Sequence, residues 1–522
     1  MFARQECARL GLSFAEAFRY QYVISREKPE PEGFRALRFG GFWVLAGRDL
    51  PVARLFDRDG TAIGLLLGIA VGREGLIQGN HRFGGFSAAE SGALEAFETE
   101  LRHVAGRYAI LLGIGRERRL YCDPVGMIGA VYNRGLGRVG ASTMLCFDDG
   151  FEDHPLYDHA VNETRGGKYS LFHTRDVRVR RLNPSFYLDL DNFQEYRFWP
   201  RGESFDESPR RRADIYDEII ATVRFNIGAI AARHRCALPL SGGRDSRLLA
   251  GFAGPHLARM NQIFTHVTNY STRGDAEIAR RVAARLGVPH EVHDKRVAVV
   301  SARRVARNER YFRVAAGAPV RASDELRKDL QHAIAPGSVV LRGHQTDLLR
   351  AVFLNHTDRA RWKDFRWQIA KLLIVPWKEL TAAHVERFMP DFLSWHRTLP
   401  RAALAKAVDF MFLEVYYSAS LGFTFPGMHR HFYMSPFNSR RLIELSLSID
   451  DEYRRKGHAV DDILYRIFPD LQALPFDDEF GADLAAIDGP LPLRDARVAA
   501  TRERASMLAG GATPSPARSA AS

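Results

Sequence analysis

The sequence predicts an α/β protein built from two architectures: a β-rich first part of about 200 residues, then a parallel α/β part that turns helical towards its end. Three observations carry this. Short apolar or alternating runs separated by glycine-bearing turns recur through residues 34–146, the pattern of paired antiparallel strands. From Ala213 onward apolar strands alternate with helix-period segments, which implies a parallel sheet with ligands at the carboxyl ends of its strands. Between the strand ending at Leu240 and the helix beginning near Ser246 lies Ser241-Gly242-Gly243-Arg244-Asp245-Ser246, a turn whose glycines let the backbone approach a ligand.

The expected elements follow in order. Phe34–Leu45, Ala62–Val71, Tyr108–Ile114, Arg119–Cys122, Met127–Tyr132 and Ser142–Cys146 read as strands. A helix is expected over Ala88–Val104, capped by Ser87, with Leu94, Phe97 and Leu101 on one face. Residues 1–200 form the first domain, and the polar stretch Ser204–Arg212 is the linker. The second domain, residues 205–480, starts with a helix from Ala213 to Ile230. Further strands are expected at Gln262–Thr268, His290–His293 and Ser338–Leu341, with helices at Ala276–Leu286 and Ser323–Ala335. The tail, residues 494–522, is expected to be disordered, since it ends in a run rich in Gly, Pro, Ser and Ala.

Composition narrows the function classes. A chain of 522 residues exceeds a single core, so two or three domains are expected. Hydrophobic residues at 46% and charged residues at 26% are ordinary for a soluble globular protein. No apolar run reaches the roughly eighteen residues of a membrane span, and Met1-Phe-Ala-Arg-Gln-Glu-Cys lacks the layout of a secretory signal. A cytoplasmic location and no membrane partner are therefore expected. The net charge of +12 is scattered as single arginines rather than gathered in a basic arm, so nucleic acid is not the expected partner. Cys7, Cys122, Cys146 and Cys236 lie far apart and read as small core residues.

The turn at 241–246 reads as a phosphate site. Its amides and the following helix N-terminus form a cradle for anionic oxygens. Ser241 and Ser246 add hydroxyl donors, and Asp245 is placed to hold Mg²⁺. The pattern does not end in the Gly-Lys-Ser/Thr of a Walker A loop. It resembles the PP-loop of the ATP pyrophosphatases, which cleave ATP between its α- and β-phosphates.

The resemblance widens to the asparagine synthetase family. Val104-Ala-Gly-Arg-Tyr-Ala-Ile-Leu-Leu112 and Leu120-Tyr-Cys-Asp-Pro-Val-Gly126 look like the glutaminase half of that family, implying an Ntn-type αββα sandwich. Its nucleophile is an N-terminal cysteine; here Phe2 stands at that place, and Cys7 would need six residues removed to free its amine. The domain therefore resembles a glutaminase scaffold without the chemistry, as in beta-lactam synthetases and lasso-peptide cyclases.

In the second half, which implies a PP-loop domain of the adenine nucleotide alpha hydrolase type with a helical C-terminal part, Leu240 and residues 241–246 match the ATP and pyrophosphate site. Thr265 and Val267 fall where the family's second strand meets adenosine. Asp275 aligns with an acidic family residue or is a surface helix residue. Val340-Leu-Arg-Gly-His-Gln-Thr-Asp347 resembles the family's S-G-x-G-x-D-E segment, which places Gly343 at the nucleotide and makes Asp347 the second metal carboxylate or a helix cap.

Departures follow from there. His344 stands where relatives carry Glu or Tyr, and Gln345 replaces a glycine. Glu414 has the context of the Glu that pairs with the catalytic Tyr of beta-lactam synthetase. His344 and Glu414 thus form an acid–base dyad in one reading and are structural in the other. Met434-Ser-Pro-Phe-Asn-Ser-Arg-Arg-Leu-Ile-Glu444 looks like the family's V-P-F-L-D-x-R-L-V-E stretch. Asp461 aligns with the family's catalytic lysine. Lys456, a turn earlier, either replaces that lysine or lies on the surface. His429 and His431 are expected to be structural.

The resemblance implies a ligase using ATP and Mg²⁺, with Asp245 and Asp347 as metal ligands and His344, Glu414 and Lys456 as catalytic residues. It would join a small-molecule or peptide carboxylate to an amine through an acyl-adenylate, without hydrolysing glutamine, and a homodimer is the candidate assembly. Two alternatives stand beside it: a catalytically silent nucleotide-binding scaffold, and a PP-loop tRNA-modifying enzyme.

Overall fold

Successive residues of the central strands are buried on both faces and join different cores in turn, which divides the first half into layers. In the computed structural model, which describes residues 1–27, 33–165, 169–206, 209–268, 271–295, 301–318, 329–355, 359–372, 379–480 and 493–510, two sheets fall within residues 22–197. One runs in the order Val179–Arg181, Val131–Asn133, Arg138–Gly140, Tyr22–Ser25, Phe42–Gly47, Phe34–Phe39 and is antiparallel throughout. The other centres on Ala62–Gly72, paired antiparallel with Ala105–Ile114 from Gly64 opposite Leu112 to Val71 opposite Ala105. Leu65, Leu67, Ile69 and Val71 share a core with Tyr22, Ile24, Val44 and Ala46 of the first sheet. The alternate residues Leu66, Ala70, Ile110 and Leu112 pack with Phe97 and Leu101 of the helix Ala93–Leu101. Ala3 and Cys7 of the helix Phe2–Arg9 pack with Val23 and Leu45 on the outer side of the first sheet. One slip of register would exchange the two faces of either sheet, so this pattern fixes a helix–sheet–sheet–helix order.

The second half holds a five-stranded, all-parallel sheet in the order Glu291–Asp294, Met260–Val267, Cys236–Pro239, Val339–Leu341, Phe432–Met434. Ala237, Leu238, Val340 and Leu341 are wholly buried, as strands covered on both faces require. From Cys236–Pro239 the chain first builds outward on one side and then returns to build on the other. The crevice between this strand and Val339–Leu341 is therefore the topological switch point, the place where open α/β sheets bind ligands.

Two segments singled out in the sequence meet where the halves join. Asp123 accepts the amides of Met127 and Ile128, both at 2.9 Å, and takes a third bond from Asn438 Nδ2 at 2.9 Å. Arg440, with no exposed surface, donates to the carbonyls of Cys122 and Pro184. The core that includes the inter-sheet residues also takes in Leu238 and Leu341 of the parallel sheet.

Several expectations shift. The helix expected over 88–104 is confined to Ala93–Leu101 with Gly92, not Ser87, at its N-cap. Ser142–Cys146 folds as a short 3₁₀ turn at Thr143–Leu145 rather than a strand; a short buried apolar run has no period that separates the two. The arginines of the expected linker open the 23-residue helix Pro209–Ala231. The helix expected at Ser323–Ala335 falls largely outside the described residues, and its end forms a 3₁₀ turn at Leu330–Ala333. Asp495–Gly510, expected to be disordered, is a helix. Thr501 is buried in a 2.6 Å bond from Gln472, and Arg494 and Arg497 both clasp Glu479. Helix-forming Ala, Arg and Glu outweigh the terminal Gly and Pro once such a surface is present to dock on. Residues 511–522 lie outside the described residues.

Candidate functional site

A cavity of about 360 Å³ opens at the switch point, lined by the ends of three parallel strands and the turns that follow them. Leu240, Ser241, Asp245, Ser246, Thr265, Gly343, His344 and Asp347 face it, joined by Asp275 and Arg342. Gly242, Gly243, Arg244 and Val267, expected in the same site, stand outside its lining. Two turns meet here without room for side chains: a Cβ at Gly343 would lie 2.7 Å from the Asp245 carbonyl oxygen.

The turn at 241–246 makes its own hydrogen bonds. Ser241 N–H donates to Ser246 Oγ at 3.1 Å, Gly243 N–H to Ser241 Oγ at 3.2 Å, and the two hydroxyls lie 2.8 Å apart. Gly242 N–H donates to Asp275 Oδ1 at 2.9 Å. The Asp275 carboxylate thus already occupies an amide of this turn. Burial, helped by neighbouring Asp477, pushes Asp275 up to about 6. Behind the turn, buried Arg247 donates to the carbonyls of Gly242, Leu471, Leu474 and Pro475. Arg244 pairs with Asp478 and lies over the Phe476 ring.

Asp245 and Asp347, brought from separate strand ends, converge on one guanidinium. Arg350 Nη2 lies 2.5 Å from Asp245 Oδ2 and 3.0 Å from Asp347 Oδ1. Thr346 Oγ1 donates to Asp245 Oδ1 at 2.9 Å, and the Tyr417 hydroxyl donates to Asp347 Oδ2. Burial and then the Asp245 charge push Asp347 up to about 7, against the pull of Arg350 and Tyr417. The pair meets the sequence expectation of two converging carboxylates. It does not fit a divalent cation as it stands, because the Arg350 guanidinium bonds both carboxylates and Tyr417 takes a further oxygen of Asp347. Among the described residues no group of three or more His, Cys, Asp or Glu side chains is placed to hold a metal ion.

The three expected catalytic residues separate. His344 lines the cavity, its ring edge-on to Tyr417 and Phe425. Glu414 is fully buried outside the cavity lining. It takes two bonds from Arg197 at 2.7 and 2.9 Å, one from Asn183 at 3.0 Å and one from Trp395 Nε1 at 2.8 Å. Its carboxylate ties the two halves together, and the residue of the π-helical segment Met411–Tyr417 that meets His344 is Tyr417, three positions further along. Lys456 is exposed at the C-cap of Asp451–Arg455 and outside the cavity lining. Arg454 is the member of that basic run that turns inward, donating to Asp409 and, at 2.7 Å, to the Leu348 carbonyl. It braces the turn that carries Asp347 from behind. His429 stacks on Tyr311 and His431 bonds the Gln331 carbonyl, both structural as expected.

Sequence reasoning missed Arg350, Tyr417, Thr346 and Arg342. The spacing of Arg350, three residues after Asp347, was the one available signal, since that interval brings two side chains together on a helical turn.

No family model matches the chain, and no curated protein matches it.

Proposed function

We propose that the chain is an ATP-dependent carbon–nitrogen ligase of the asparagine synthetase type, with a PP-loop domain behind a glutaminase-like, Ntn-type domain that has lost its chemistry. One observation carries the reading: the Ser241–Ser246 turn lies at the switch point of a parallel sheet, with Asp245 facing Asp347 across the crevice. Gly242 lies behind the Asp275 carboxylate, which lines the cavity, so a phosphate oxygen reaches Gly242 N–H by displacing that carboxylate, whose raised proton affinity lowers the cost of the exchange. Ser241 and Ser246 add donors, and Arg342 supplies positive charge at the wall. A substrate carboxylate oxygen attacks the α-phosphorus and pyrophosphate leaves. The amine nitrogen then attacks the acyl carbon, AMP departs with the anhydride oxygen, and His344, which lines the wall together with His266, takes the amine proton. Positioning and charge complementarity supply most of the acceleration in such a reaction.

Cys7 supports the absence of glutamine hydrolysis. It is buried, and burial pushes its thiol up to about 12, leaving no thiolate at neutral pH.

A second reading, a silent nucleotide-binding scaffold, is favoured by the internal saturation of both the turn amides and the carboxylate pair. Release of AMP and pyrophosphate from ATP, measured across panels of carboxylates and amines with and without glutamine, separates the two. Substrate-dependent AMP that glutamine does not stimulate is the expected result. ATP binding with no AMP from any pair would favour the scaffold, and no ATP binding at all would end both.

A further inference from the structure

Two aspartates that converge in a crevice repel one another, and the usual remedy is a divalent cation shared between them. This chain supplies a cation of its own. Arg350 places a single nitrogen against both carboxylates, at 2.5 Å from Asp245 and 3.0 Å from Asp347. Tyr417 takes the second oxygen of Asp347, and the Thr346 hydroxyl lies between Asp245 Oδ1 at 2.9 Å and the Gly343 carbonyl at 2.6 Å. The arrangement is held in place rather than incidental to a loose surface arginine. Thr346, Asp347 and Arg350 all ride on one 3₁₀ turn, Thr346–Arg350, bounded by two non-glycine residues in the left-handed region, Gln345 at φ 70° and Ala351 at φ 45°. Gln345 is wholly buried, and both its amide atoms lack a hydrogen-bond partner among the described residues. Strain and an unsatisfied amide at this position persist only where surrounding structure over-determines them. Here Arg454 grips the turn through the Leu348 carbonyl.

We propose that Arg350 is the built-in cation of this site. It takes, between Asp245 and Asp347, the position a divalent ion would occupy, so the cavity accepts a polyphosphate ligand without a protein-held metal. A guanidinium remains charged at every accessible pH and cannot be removed by chelation. Arg350 offsets the charge of the carboxylates it bridges, which leaves Arg342 on the wall as the cation that faces an anionic ligand. The cation assignment stands on the geometry alone; the polyphosphate clause rests on the nucleotide reading above.

The test has two arms. Mn²⁺ is titrated against the full chain without nucleotide, followed by water-proton relaxation. Wild type is expected to show no site at Asp245 and Asp347. Arg350→Gln should gain one, tighter by about tenfold or more than any wild-type binding, and adding Asp347→Asn should abolish it. Arg350→Lys, which keeps a point charge, should stay close to wild type and serves where the Gln variant folds poorly. A wild-type Mn²⁺ site that Asp347→Asn removes, or no gained site in Arg350→Gln, overturns the assignment. In the second arm ATP binding is measured by calorimetry in EDTA and in Mg²⁺. Wild-type affinities should agree within roughly threefold, whereas Arg350→Gln should lose about tenfold or more in EDTA and recover in Mg²⁺. ATP binding that needs Mg²⁺ in wild type overturns the metal-free clause. ATP binding in neither buffer sinks the nucleotide reading, and the Mn²⁺ arm still decides the cation.

Discussion

Glu414 and Asp347 are both acidic groups held by an arginine in a low-dielectric setting, yet their surroundings push them in opposite directions. Burial drives Glu414 upward, but Arg197, Asn183 and Trp395 more than reverse it, and its affinity for a proton ends below the ordinary carboxylate value. Asp347, which opens on the cavity where Glu414 is sealed, is likewise driven up by burial, gains the repulsion of Asp245, and ends at about 7 despite Arg350 and Tyr417. The difference is one of sharing. Arg197 gives two bonds to one carboxylate, whereas Arg350 divides one nitrogen between two. A carboxylate fully paid by its donors is a structural joint; one left short by a like charge is poised to respond to a ligand.

The largest effect should come from breaking the satisfied cluster. Glu414→Ala leaves Arg197 buried without its partner and should cost on the order of 3–5 kcal/mol in urea unfolding. A loss under about 0.5 kcal/mol, with turnover abolished, would return Glu414 to the chemistry.

Next comes the strained cluster, where removal should help. Since the folded value of Asp347 near 7 lies above the roughly 3.9 of an unfolded aspartate, its contribution to stability is complete below pH 4 and is lost as pH rises through 7. Asp347→Asn has no such loss and should gain on the order of 1–3 kcal/mol over wild type at pH 8, and nothing at pH 4. Thermal melts at both pH values check the sign; a pH-independent difference would mean that the aspartate is not held protonated by its surroundings.

Ser246→Ala removes a hydroxyl that organises the 241–246 turn, and should lower kcat/KM for AMP formation by about tenfold, one hydrogen bond's worth. The smallest effect is expected at Cys7. Cys7→Ala should cost about 1 kcal/mol of packing and leave turnover unchanged. Loss of a glutamine-dependent activity in that variant would contradict the reading of the first half as a scaffold.

The legible parts of this molecule were those with a local signature. The apolar runs of Ala62–Gly72, Cys236–Pro239 and Val339–Leu341, and the glycine turn between strand and helix, each show in a few consecutive residues. Asp245, Asp347 and His344 reach the same crevice because strand ends of a parallel sheet bring them there. Glu414 and Lys456 were misplaced for a different reason. On the segment Met411–Tyr417 the π-helical widening and the helix's rotation decide whether Glu414 or Tyr417 meets Asp347, and no spacing in the sequence records that. At 454–456, three adjacent basic residues look alike, and only the depth of packing sends Arg454 inward and Lys456 out.

By itself, then, the sequence determined the two kinds of sheet, the switch-point turn and the residues at its strand ends, because hydrophobic period and glycine position act over a few residues. The tertiary structure alone decided that Arg350 also reaches Asp245, that Asp275 occupies the Gly242 amide, and that the C-terminal segment folds down as a helix against Glu479 and Gln472. Charge pairing is settled by distance and burial between segments about a hundred residues apart or more, as with Asp245 and Arg350, and Coulomb energies in a buried crevice depend on those distances rather than on sequence order.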